Sequence, residues 1–152
     1  MSEINHESTS VQNYLMILQG VISRMANNSA ACKTWCIALI SALLVVTAEK
    51  QKSEYLLVAA VPVVLFGLLD SYYLGLERRF RDVYNGFIAK LHTDSVGSKD
   101  LFVVTLKGTG WDTAKSTLKA VASVSIWPFY GLLLAVLAAI IWGRSLVALW
   151  CT

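Results

Sequence analysis

Asp70 is the side chain best placed to do chemistry, because it is the one acid inside the apolar run from Tyr55 to Leu74. An ionisable group in such a run either serves a function or is a helix-end acid, hydrated or bonded to a neighbouring hydroxyl or arginine. Both readings stay open. On a helix it falls roughly 22 Å beyond Tyr55, which places it near the end of a span rather than at mid-bilayer. The histidines are His6, in a polar tail, and His92, far along the chain; one per region makes no metal site, and His92 reads as a solvated helix end. Cys32 and Cys36 share a helix face, but no second pair completes a zinc set, so they read as small apolar filler. There is no G-x-S-x-G nucleophile motif, and Gly108-Thr109-Gly110 lacks the spacing of a phosphate-binding loop. Neither an enzyme nor a cofactor is expected from these residues.

The elements around Asp70 are apolar. Hydrophobic residues make up 56% of the chain and charged residues 15%. Soluble proteins average about 45–50% and about 25%. Mean hydropathy is +0.58. The net charge of +3 is too small and too spread for a nucleic-acid binder. No signal peptide is expected, since the first 30 residues lack a basic start followed by an apolar core.

The expected fold is an all-α membrane protein with three transmembrane helices. A polar tail occupies 1–9. Ser10 caps an amphipathic helix over 10–29, whose apolar face is Val11, Tyr14, Leu15, Leu18, Ile22 and Met25; Asn27, Asn28 and Ser29 read as its stop. That helix lies on a membrane or packs against protein. A transmembrane hairpin with a helical extension fills 30–91. Its first span runs from Ala30 to Ala48, if Lys33 snorkels to the interface, and residues 49–54 form the turn. The second span continues past the bilayer as an amphipathic rod ending near Leu91. Its stripe is Tyr73, Leu76, Phe80, Val83, Phe87 and Leu91, and a rod with such a stripe requires a partner. Glu77–Arg81 and Arg78–Asp82 have the spacing of ion pairs along it.

A loop follows over 92–111, with an extended segment near 101–106. Residues 112–152 hold the third span and a short exterior tail. Asp112 reads as a cap, the apolar run is Ala120 to Trp142, and Pro128 is a source of a kink. With the N-terminus inside, ten basic residues are cytoplasmic and three (Lys50, Lys52, Arg144) lie outside. This sets the N-terminus and rod in the cytoplasm and the C-terminus outside. Arg78, Arg79 and Arg81 make a basic collar suited to anionic headgroups or to salt bridges between protomers.

The stretch around this collar carries Leu69, Asp70, Tyr72, Tyr73, Leu74, Glu77, Arg78, Phe80, Arg81 and Tyr84, and Pro128, Phe129 and Tyr130 open the last span. This pattern resembles the RipA-like family of octameric membrane proteins, small proteins of the bacterial inner membrane. The resemblance implies a homo-oligomer, an octamer, with these residues at oligomer or membrane interfaces. Similar small multi-span proteins act as membrane effectors in antiphage systems, responding to a separate sensor. The expected function is therefore a homo-oligomeric, pore-like or membrane-perturbing effector in stress response or antiviral defence. Its expected partners are the lipid bilayer, copies of itself in a ring, and a cytoplasmic sensor. The alternative is a non-conducting scaffold that recruits a cytoplasmic partner. A small transporter or membrane enzyme is a third reading, weakened for transport by the lack of repeats and of further intramembrane polar residues.

Overall fold

The computed structural model describes residues 8–50, 54–93, 95–106 and 108–150. The described chain is helical, with no strand among the described residues. Helix α1 spans Thr9–Lys50 and α2 spans Glu54–His92. A 3-10 turn follows at Ser98–Asp100, then α3 at Gly110–Val121 and α4 at Trp127–Trp150. At about 1.5 Å per residue, α1 is about 63 Å long and α2 about 58 Å. Each is roughly twice the thickness of a bilayer core. Both are long and apolar enough to cross a membrane; the apolar part of α4, Trp127–Gly143, is shorter.

The two long helices pack antiparallel. Their contacts divide into an apolar half and a polar half. In the apolar half, Cys36 and Ile40 of α1 meet Ala59 and Val63 of α2 and Ile126, Tyr130 and Leu137 at the start of and along α4. In the polar half, Val11, Tyr14 and Leu18 of α1 cover Phe87 and Leu91 of α2, with Leu101 and Val104 of the following loop packed against them. The partner that the stripe on α2 demands is therefore the N-terminal part of the same chain. Tyr14 sits edge-on to Phe87 at 4.7 Å between ring centroids, and its hydroxyl donates to the Val103 carbonyl at 2.7 Å. Burial pushes the Tyr14 phenol up, and the charge of Asp100 adds to this while Lys90 opposes it. Tyr14→Phe keeps the packing but removes the donor, and should lower stability by about 1 kcal/mol in thermal unfolding.

Several expectations are corrected. Asn27, Asn28 and Ser29 do not stop a helix; α1 runs through them, so the helix expected at 10–29 and the first apolar run are one element. Asparagine and serine cost a helix only about 0.5 kcal/mol each, which packing overrides. The cap of α1 is Ser8 rather than Ser10, its carbonyl accepting from Val11 at 3.0 Å and Gln12 at 3.2 Å. Of the polar tail 1–9, residues 1–7 lie outside the described residues, as do 51–53 of the turn, Lys107 and Cys151. The extended segment at 101–106 forms no strand. It begins as a turn with Phe102 at φ 62° and continues irregularly, held down by its apolar contacts to the hairpin.

The third span differs too. The run from Ala120 to Trp142 is broken between α3 and α4. Pro128 has no N–H to donate and clashes with the carbonyl four residues earlier. It therefore starts a helix instead of kinking one, a first-turn position that suits it. The Ser123 carbonyl accepts from Ile126 at 2.9 Å and Trp127 at 3.1 Å, tightening the link. The cap of α3 is Thr109; Asp112 is its third residue and accepts from the Thr109 amide at 2.7 Å. These bonds, the amide first and then the Thr109 hydroxyl, hold the Asp112 carboxyl below the usual carboxylate range.

Candidate functional site

Residues 30–48 of α1 carry one charge, Lys33, and residues 55–76 of α2 carry one, Asp70. The antiparallel packing brings them together. Lys33 Nζ lies 2.5 Å from Asp70 Oδ2. The Ser29 hydroxyl, one turn before Lys33, donates to Asp70 Oδ1. From α4, the Tyr130 hydroxyl lies 3.1 Å from Asp70 Oδ2 and 3.3 Å from the Phe66 carbonyl. Asp70 is 0% exposed, whereas the Lys33 side chain is 23% exposed. A charge removed from water at this depth persists only when paired and hydrogen-bonded. Three donors from two neighbouring helices meet that need.

Of the readings open for Asp70, hydration is excluded and bonding to neighbouring hydroxyls is what the packing gives: the carboxylate is sealed between α1 and α4, with Ser29 and Tyr130 as hydroxyl partners. The Lys33 ammonium turns onto the carboxylate, a partner that the spacing along either helix alone does not reveal. The cluster stands between the two apolar clusters and fixes the register of all three helices around it. Gly67 faces the Tyr130 ring of α4, where a Cβ would lie in ordinary van der Waals contact at 3.5 Å. A ring of exposed aromatics, Trp35 on α1, Tyr72 on α2 and Trp127 on α4, lies within one helical turn of this level.

The other expected site residues do not converge on Asp70, apart from Tyr130. Glu77 is buried and pairs with Arg81 at 2.7 Å, as its spacing predicts. Arg78 donates to the Ser123 hydroxyl at 2.7 Å, in place of the expected pair with Asp82. Arg79 donates to the Thr113 hydroxyl of α3. Much of the expected basic collar is thus spent on intramolecular bonds that hold α3 and its link to α2. Tyr72 and Tyr73 sit edge to face at 5.7 Å. Phe80 is half-buried, and the Tyr84 hydroxyl accepts from Gln19 Nε2 at 3.2 Å. Pro128 is exposed in the first turn of α4, and Phe129 packs against the apolar-half core and edge-on to Tyr130 at 4.9 Å.

Ser29 and Lys33 are the members that sequence reasoning missed. The available signal was positional. Lys33 and Asp70 lie at nearly equal distances from the turn that joins their helices, so an antiparallel hairpin must bring them level. Cys32 and Cys36 are both buried, with Cys36 in the apolar-half core. Comparisons with known protein families, with characterised proteins and with solved structures return no match to this chain.

Proposed function

We propose that this chain is an integral protein of the bacterial inner membrane that assembles with copies of itself and perturbs the membrane as an effector in stress response or antiviral defence. The observation that carries the reading is the exterior of the apolar half. Trp35, Ile37, Leu39, Val45, Val58, Val61, Leu65, Leu68, Leu132 and Val136 are all large, apolar and exposed there. Such a surface belongs in lipid or against another apolar surface. Across it run exposed small residues, Ala38, Ser41 and Ala42 on α1 and Ala135 and Ala138 on α4, which let helices of neighbouring protomers approach closely.

In this reading α1, α2 and α4 make three crossings. The positive charge sets the polar half and the N-terminus in the cytoplasm and the C-terminus outside. Side chains fill the space between the three helices, so a conducting path would run between protomers and not through one. Ring assembly, an octamer by the resemblance of the Leu69–Tyr84 stretch, therefore rests on the apolar half. A cytoplasmic sensor would find its surface on the polar half. No residue is assigned a catalytic role.

The test is a potential-sensitive dye in bacteria expressing the full chain. Depolarisation at matched membrane yield is expected. An intact potential, with the protein still oligomeric in mild detergents, would favour a non-conducting scaffold that recruits a cytoplasmic partner. That second reading is favoured by one feature, the satisfied and sealed state of Asp70, the acid of the α2 apolar run, which leaves its carboxylate closed to an ion. A monomer across several mild detergents would sink the assembly claim.

A further inference from the structure

Helix α3 is built inside out for a helix in water. Its inward face is polar. Thr113 accepts from Arg79, the Ser116 hydroxyl donates to the Gly75 carbonyl at 3.1 Å, and only Ala120 is fully buried among apolar residues there. Its outward face carries Trp111 at 78% exposure and Leu118 at 73%, with Ala114 and Val121 beside them. The line continues past the helix into Val124, at 84%. A surface helix of a soluble protein shows the opposite arrangement. Lys115 and Lys119 are exposed on one flank of this apolar line, about 40° and about 80° around the helix from Trp111.

Position along the hairpin says what covers that face. The contact of α3 with α2 centres on Gly75, which lies about 7–8 Å beyond Asp70 toward the polar half. The exposed ring of Trp35, Tyr72 and Trp127 marks the level where aromatic side chains favour the membrane–water boundary. The height of α3 is thus that of the headgroups next to the apolar half. It is also continuous with α4, whose first residue, Trp127, follows a short link. Basic residues flanking an apolar line match a helix lying in the interface, with aliphatic stems beside acyl chains and ammonium groups at anionic phosphates.

We infer that α3 is an interfacial helix, its Trp111–Leu118–Val121 face set into the headgroup–acyl boundary of the bilayer and Lys115 and Lys119 on anionic lipid phosphates. This rests on the membrane reading above. It makes the α3–α4 break functional: the chain lies along the surface before it enters the membrane.

The test uses the full chain in native membranes with p-benzoylphenylalanine at Leu118, and separately at Met16. Met16 is equally exposed, but lies about 26 Å beyond Lys33 along α1. Irradiation should give a phospholipid adduct at Leu118 several-fold above that at Met16. An alkaline carbonate wash of the unsubstituted chain reads membrane integration separately. Protein retained by the wash, with no lipid adduct at Leu118, would overturn the inference alone. A crosslink at Leu118 to a second copy would also overturn it, assigning the face to protein assembly. Release by the wash would overturn the membrane reading and this inference with it.

Discussion

Lys33→Met is expected to destabilise the folded chain by about 3–5 kcal/mol, the cost of leaving one member of a buried ion pair uncompensated. Asp70 has no exposure through which to regain water, and the Ser29 and Tyr130 hydroxyls would be its remaining donors. Asp70→Leu should cost less, about 2–3 kcal/mol, because Lys33 is partly exposed and its long stem can carry the ammonium outward. The double replacement should recover most of the loss, since two apolar side chains need no partner. The unfolding midpoint in mild detergent measures all three. For Lys33→Met a fall of roughly 10 °C corresponds to the expected range. Simple additivity of the two single changes would show that the ion pair does not couple α1 to α2.

Gly75→Val should detach α3 while leaving the α1–α2 hairpin intact. A Cβ at Gly75 would lie 3.1 Å from the Thr117 amide nitrogen and 3.3 Å from the Ser116 carbonyl carbon. These are backbone atoms of the opposing helix and cannot swing aside. The two valine methyls extend further into the same space, and the Ser116–Gly75 hydrogen bond would be lost with the contact. Overpacking of this kind costs about 2–3 kcal/mol. Hydrogen exchange is the measurement, with faster exchange expected over 110–121 and little change over 14–18 and 83–91. Gly75→Ala should be milder, because about 1 kcal/mol of gained helix propensity offsets part of the clash. Gly86 is the control. A Cβ there meets nothing within 4 Å. Gly86→Ala should therefore be neutral or stabilising. Equal damage at both glycines would mean that the α2–α3 contact is not what holds α3.

Local pattern determined much of this protein. The stripe from Tyr73 to Leu91 predicts a single helix from 55 to 91, and α2 runs from Glu54 to His92. That stripe is legible because its period depends only on backbone geometry. The apolar face from Val11 to Met25 is likewise legible, and three of its residues form the polar-half core. The Glu77–Arg81 pair follows from spacing along one helix. The break before α4 was also within reach, since Ser123, Ser125 and Pro128 carry the marks of a helix start. It was obscured by the continuity of apolar residues from Ala120, which reports burial or lipid rather than backbone direction.

Tertiary packing decided the rest. The union of two expected helices into α1 is set by α2, whose Asp70 takes the Ser29 hydroxyl inside the stretch that reads as a stop and the Lys33 ammonium one turn beyond it. The inverted face of α3 is set by Gly75 and Arg79, which supply polar partners and a close approach to its threonines and serine. Likewise, the meeting of Asp70 with Tyr130 spans 60 residues. Period and capping are properties of a few neighbouring residues and can be read along the chain. The partner of a buried charge depends on which distant helix lies level with it, and that is defined only once the helices pack.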